Sequence, residues 1–285
     1  MLRPTLIPRI GRSLTLRPFR RSLHQVPPLA HDFTNEGIPG LLGPAGFDMA
    51  WTQYQSLMVE KLNSLTVGGE YESKAPKDIA IKYARDPNSA PIFNYASMAH
   101  NNHFFFSCLS PTETVMPEPL KKELEASFSS IATLRQELIV TASSMFGPGF
   151  VWLVKHPLGR KYSILTTYLA GSPYPGAHHR RQPVDMNTED NKSISDALRR
   201  TLRSDPVNTV GAHGAYAEKK LPPGGIDLVP VLCINTWEHV YLPDYGVGAF
   251  GVGGKRAYAE RWWDRIDWAV VANHADVRGS GRFQT

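Results

Sequence analysis

Histidine and cysteine are the side chains of this sequence best suited to hold a metal or act as a nucleophile, and it carries ten of the first and two of the second. His100, His103 and His239 stand in regular segments beside carboxylate or amide neighbours, where an imidazole nitrogen could serve as a ligand. A transition metal needs several such donors converging on one point. No Cys-x-x-Cys, His-Glu-x-x-His or serine-elbow pattern brings them together locally. Any such site must therefore be assembled by the fold, and a lone histidine on an apolar face is otherwise a hydrogen-bonded core residue. Cys108 and Cys233 read as buried thiols in a reducing compartment, because a disulfide-built secreted fold needs more cysteines.

Two other patterns carry potential chemistry. Gly246-Val-Gly-Ala-Phe-Gly251 matches a dinucleotide-binding fingerprint letter for letter. That mechanism needs the glycines to follow a strand directly and to open a helix whose N-terminus meets the pyrophosphate. Tyr241-Leu-Pro-Asp-Tyr245 precedes them instead, so the expected reading is a flexible glycine loop. The basic residues Arg180, Arg181, Arg199, Arg200, Arg203, Lys219 and Lys220, together with the tail Arg278 to Phe283, could contact phosphate groups. A solvated surface is the competing reading for both.

The elements that must position these residues follow from periodicity. Met49, Leu57, Met58 and Leu62 recur at helical spacing between Phe47 and about Leu65. A polar segment, Thr66 to Ala75, leads to a second apolar block, Ile92 to Leu109, which Ser110-Pro111 stops. Two helices joined in this way predict an antiparallel hairpin. Helical patterning resumes from Pro117 to Phe128 and from Ile131 to Met145. The period then changes to that of strands at Phe150–Val154 and Tyr162–Tyr168, with a third at Leu228–Ile234. Between them, residues 172–225 read as a polar insertion with a short helix at Ile194–Leu202, and Ala257–Val271 reads as one final helix. The sum is an α+β chain: an N-terminal helical hairpin at 25–115, then a C-terminal α/β domain at 116–285 with a small antiparallel sheet.

Charge divides the chain differently. The 31 lysines and arginines exceed the 26 acidic residues by five. Six of them, Arg3, Arg9, Arg12, Arg17, Arg20 and Arg21, fall in the first 24 residues, where no acidic residue occurs. That composition predicts a mitochondrial import segment over 1–24. Setting those six aside leaves 25 basic against 26 acidic groups, so the body is nearly neutral. Its basic residues concentrate beyond residue 154, so any polyanion contact is expected there. No stretch approaches the roughly 18 apolar residues of a membrane helix, and no membrane contact is expected.

Three anchors, Leu62-Asn63, Leu109-Ser110-Pro111 and Asn235-Thr-Trp-Glu-His-Val-Tyr241, together resemble the iron/manganese superoxide dismutase family from His24 to about Ala272. Phe146-Gly-Pro-Gly-Phe-Val-Trp-Leu153 and Ala170-Gly-Ser-Pro173 resemble two further segments of that family, and Trp-Glu-His-x-Tyr is the most specific match. The resemblance implies a helical hairpin followed by an α/β domain, the architecture that periodicity also gives. It implies a metal held by three histidines and an aspartate. Counting from the anchors puts these ligands at Ala50, Asn102, Asn235 and His239. Only His239 keeps its type, and His103 sits one place, about 100° of helix, from the second position. The family's gateway tyrosine and histidine fall on Met58 and Tyr54, and its outer glutamine on Met98 or Ala170. No metal and no cofactor are therefore expected. An active mitochondrial Mn/Fe dismutase is the alternative, should His103 and other donors rebuild the site.

The resemblance also implies that Glu238 and His239 belong to a dimer interface, where this glutamate meets the partner's ligand histidine. Leu242 stands where a tyrosine normally joins that contact. In its Arg-rich start, missing ligands, polar insertion and basic C-terminal half, the chain resembles the dismutase-like proteins of the fungal mitochondrial ribosomal small subunit. That likeness implies a structural, non-enzymatic role in the mitochondrial matrix, on the mitochondrial ribosome. Its partners would be small-subunit proteins, a dismutase-like paralogue as heterodimer partner, and a limited area of rRNA. A free nucleic-acid-binding module is the third class, and it lacks both a recognition motif and a basic body.

Overall fold

A computed structural model of the chain describes residues 23–84, 86–157, 160–178 and 228–277. The import segment, apart from its last two residues, lies outside them. So do Arg180, Arg181, Arg199, Arg200, Arg203, Lys219, Lys220, the short helix expected at 194–202 and the tail from Arg278.

The lead segment is tied to the body at His24, whose N–H donates to Asn63 Oδ1 at 2.8 Å while Asn63 Nδ2 donates back to the His24 carbonyl at 2.9 Å. Helix α1 (Pro44–Phe47) starts on a proline, runs through a π-helical stretch, Asp48–Gln53, and continues as α2 (Tyr54–Thr66). On α2 the buried positions Gln55, Met58, Val59 and Leu62 follow the i, i+3, i+4, i+7 spacing of one helix face. Helix α4 (Ala90–Ser107) returns beside it, completing the expected hairpin. It is buried nearly all round, from Phe93 to Phe106, because α2, the short helix that precedes it and the sheet all pack on it. Helix α3 (Pro76–Tyr83) was not anticipated, and it begins on Pro76 and buries Ile79 and Ala80 against α4.

Helices α5 (Glu118–Phe128) and α6 (Ile131–Ser144) lead into the sheet, with Ser130 capping α6 through Thr133 N–H at 3.0 Å. Strands β1 (Gly149–Lys155), β2 (Tyr162–Tyr168) and β3 (Val229–Asn235) form an antiparallel sheet in the order β2-β1-β3. Central β1 is buried along Phe150–Val154, which explains its continuous apolar run: helices cover both faces. Pro230 lacks an N–H and sits on β3, at the sheet edge, where that donor is not needed.

Beyond β3 the chain forms α7 (Glu238–Tyr245), α8 (Gly254–Trp263) and α9 (Trp268–His274). The single helix expected over Ala257–Val271 is thus two. Its break is held by backbone bonds to the end of α4: Ser110 N–H to Arg265 O at 2.9 Å and Asp267 N–H to Cys108 O at 2.8 Å. Asp267 then caps α9 by accepting from Ala269 N–H and Val270 N–H. Within residues 172–178, the described part of the expected insertion, Ser172, Tyr174 and Ala177 are buried, so this stretch is a packed turn of the body.

One ionic strut joins α5 to the sheet. Glu123 accepts from Tyr162 Oη at 2.7 Å and from Lys155 Nζ at 3.3 Å, and lies 3.6 Å from Arg160 Nε. Lys155 Nζ also donates to Ala275 O at 2.7 Å. Replacing Glu123 with alanine strands the largely buried Lys155 ammonium and is expected to cost about 1–3 kcal/mol in chemical denaturation. Glu123→Gln, which keeps an acceptor, should cost less.

Candidate functional site

Three of the four positions that the family resemblance marks for metal ligands do converge, but on one another. Asn235, at the end of β3, donates from Nδ2 to Asn102 Oδ1 on α4 at 3.1 Å. Asn102 Nδ2 in turn donates to the Ala50 carbonyl and to Gln55 Oε1, each at 3.1 Å. Gln55 Nε2 donates to the Ala99 carbonyl at 2.9 Å. At the other end Trp237 N–H donates to Asn235 Oδ1 at 2.9 Å. Ala50, Asn102 and Asn235 are wholly buried and Gln55 nearly so.

This relay has a direction. It starts at a backbone N–H, which can only donate, and ends at backbone carbonyls, which can only accept. Each amide between them must therefore present oxygen to the donor before it and nitrogen onward to the Ala50 and Ala99 carbonyls, which fixes the orientation of all three. Every buried amide group in the chain of bonds has a partner, so the network meets the condition under which polar cores stabilise.

Such a set of groups does not fit a redox metal. Ala50 has no donor atom, and its carbonyl is taken by Asn102. The oxygens of Asn102 and Asn235 already accept hydrogen bonds, and a neutral amide is a poor ligand for a hard trivalent ion. Among the described residues no group of three or more His, Cys, Asp or Glu comes together.

His239, on the first turn of α7, is the implied ligand position that holds a histidine, and it stands apart from the relay's bonds. Its ring stacks on Tyr54 with centroids 4.0 Å apart, and Nε2 is buried without a hydrogen-bond partner. Burial pushes its pKa down to about 4, so the imidazole is neutral. His103 is turned away from Asn102. Its ring lies 6.0 Å from that of Trp51, and it bonds to the Pro28 backbone of the lead segment. The slip of one residue thus carries it to another face of α4. His100 shares a hydrogen bond of 2.7 Å with the Tyr174 hydroxyl, and burial, the Lys77 charge and His103 push its pKa down to about 3.

A second polar cluster fastens α4 to the turn after β2. Asn101 Nδ2 donates to Gly171 O at 2.9 Å, Ser172 Oγ donates to Asn101 Oδ1 at 2.5 Å, and Ser97 Oγ donates to Ala170 O at 2.5 Å. Trp152 Nε1 reaches the same turn through Thr167 Oγ1 at 2.8 Å. Cys108 and Cys233 are both buried, and burial raises the Cys108 thiol to about 12, leaving it protonated and unreactive. Gly246–Gly251 follows a helix rather than a strand, which removes the context a dinucleotide loop requires.

Gln55 is the member of the relay that pattern reading passes over. Its signal was present: a polar residue on the one face of α2 otherwise occupied by Met58, Val59 and Leu62.

The geometry defines a dismutase-type body in which positions implied for metal ligands carry a carboxamide network. The profile of the iron/manganese superoxide dismutases, C-terminal domain, matches residues 116–184 and 209–274. The chain is 30% identical to the small ribosomal subunit protein mS42 of Schizosaccharomyces pombe, over 70% of its own length and 73% of that protein's. It is 28% identical to the small ribosomal subunit protein mS43 of the same yeast, covering 87% of this chain and 82% of that one. An iron superoxide dismutase of Helicobacter pylori is 24% identical over 84% of both chains. The chain belongs to the iron/manganese superoxide dismutase family.

Proposed function

We propose that this chain is a non-catalytic structural protein of the mitochondrial small ribosomal subunit, working in the mitochondrial matrix. The observation that carries this reading is the amide relay. Disproportionation of superoxide requires a metal that cycles between two oxidation states, and the positions that would hold it are spent on hydrogen bonds among Gln55, Asn102 and Asn235. The relatives named as small ribosomal subunit proteins supply the setting, and the Arg-rich, acid-free start supplies the compartment.

Pairing with a second dismutase-like chain is part of the proposal, with Glu238 and His239 on its face. Half-buried Glu238 acts electrostatically on Lys255, partly offsetting the lowering of that ammonium's pKa by burial. Lys255 Nζ donates to Met145 O at 2.9 Å. Phe146, the next residue, is 95% exposed. A phenylalanine as bare as this suits a protein neighbour better than water. Arg180, Arg181, Arg199, Arg200, Lys219 and Lys220 are assigned to rRNA phosphates, with RNA contact confined to such basic clusters because the body is nearly neutral.

Two measurements test this. In a low-salt gradient of mitochondrial ribosomes the chain is expected to sediment with the small subunit, and the purified protein to contain far less than stoichiometric Mn or Fe. Sedimentation away from the subunit, or near-stoichiometric metal with dismutase activity, refutes the proposal.

A further inference from the structure

The glycine-rich segment after α7 takes no part in the relay and lacks the strand context of a dinucleotide loop, yet it is built as a projection. Helix α7 ends at Gly246 with φ of 64°, and the loop closes where Gly248 meets Gly254. A Cβ added to Gly254 would stand 2.6 Å from Gly248 Cα, and one added to Gly253 would stand 2.4 Å from the Tyr245 carbonyl. Only glycines permit backbones to approach so closely at these angles. The neck of the loop is therefore narrow and preformed.

What it presents is apolar. Val247 is 81% exposed, Val252 79%, and Phe250 stands entirely in solvent at the tip, held there with φ of 57°. Single exposed apolar residues are ordinary, but three large ones on one short loop are not. From Gly246 to Gly254 there is no charged or hydrogen-bonding side chain. Between Gly246 and Gly254 phosphate groups would find no cation, and of the three exposed side chains only Phe250 could stack on a nucleobase, with no hydrogen-bonding group beside it. The loop is matched to an apolar recess on a protein.

Its position selects which protein. The neck runs directly into Lys255, whose ammonium donates to the carbonyl of Met145 and reaches that of Gly147 at 3.5 Å. The loop therefore rises from the corner that holds exposed Phe146, and Lys255 also lies over the Tyr241 ring, 5.8 Å from its centroid, one turn from Glu238 on α7. We propose that residues 246–253 are an apolar clasp that grips the same neighbouring protein chain that pairs on the Glu238 face, with Phe250 inserted into it. This rests on the pairing reading above, and the loop adds a contact to it.

The test places the photo-crosslinking residue p-benzoylphenylalanine at Phe250, and separately at Phe146, in the full-length chain within its native assembly. Both positions are expected to capture one and the same protein chain. Capture of rRNA, of a different protein or of nothing from position 250, while 146 captures a protein, overturns the clasp and leaves the pairing intact. Failure of position 146 to capture any protein overturns the pairing and the clasp with it. A variant combining Val247→Ser, Phe250→Ser and Val252→Ser should unfold at the same temperature as the parent, since nothing buried is changed. Its association with the captured chain should weaken roughly tenfold or more, as loss of an inserted aromatic anchor does. Unchanged association refutes the clasp.

Discussion

Asn235→Asp, which puts back the aspartate implied for a metal-holding relative, is expected to be among the most destabilising single-atom-scale changes in this protein. The substitution removes the Nδ2 donor that Asn102 Oδ1 accepts at 3.1 Å and sets a carboxylate oxygen against that carbonyl oxygen. Asn102 cannot simply turn over. Its nitrogen is needed by Gln55 Oε1 and by Ala50 O, and Gln55 is fixed in turn by the Ala99 carbonyl. A buried, unpaired charge of this kind costs about 3–5 kcal/mol, measurable as a lowered urea midpoint at pH 7.5. The loss should shrink as pH falls. The carboxyl's pKa is raised in the folded state, and once protonated it becomes a donor to Asn102. The sign is thus opposite to that of an ion-paired aspartate. A variant as stable as the parent at pH 7.5, or one gaining stoichiometric Mn or Fe, would show that the relay does not hold the site as described.

That expectation recasts what the centre does. In a metal-holding relative the ligands implied at Ala50 and Asn102 and those at Asn235 and His239 would be joined through one ion, tying the helical hairpin to the α/β domain. Here Asn235 to Asn102 makes the same join with hydrogen bonds, and Gln55 extends it to α2. The body is cross-linked at the same place by hydrogen bonds, which suits the structural role proposed above.

Much of this was legible in the residues. The strand period of Tyr162–Tyr168 gave β2 with the bounds observed, and apolar spacing gave the hairpin of α2 and α4. Counting from Leu62-Asn63 and Leu109 identified Ala50 and Asn102, and the structure brings both to one point. Local signals were overlooked where an element was short: Pro76 announces α3, and Asp267 announces the start of α9 inside what reads as one apolar repeat. Helix α7 is masked by Pro243 within it. The relay itself could not be read, since its bonds join residues 47 and 133 positions apart and their direction depends on backbone groups at each end. The exposed clasp was read only as glycine flexibility, because sequence shows that Val247, Phe250 and Val252 are apolar but not that the fold leaves them bare.

Stability should also depend steeply on acid, through histidines rather than carboxylates. Burial holds His100 down to about 3 and His239 down to about 4, against an ordinary value of 6.5, and it lowers His103 and His274 as well. Between pH 6.5 and the folded-state values, unfolding takes up a proton at each of these rings, so the unfolded chain binds more protons and stability falls as pH falls. The contribution is fully present above pH 6.5. Each ring adds a slope of up to about 1.4 kcal/mol per pH unit, so His100 and His239 together approach 3 kcal/mol per unit near pH 5. Urea unfolding at pH 7.5, 6.0 and 5.0 should show little change above pH 7 and a steep loss below 6. His100→Gln should reduce the slope by about one histidine's share, while its Tyr174 neighbour still finds a hydrogen-bond partner. A stability flat from pH 7 to 5 would mean that these rings are charged in the native protein, which the partnerless Nε2 of His239 in its stack on Tyr54 does not allow.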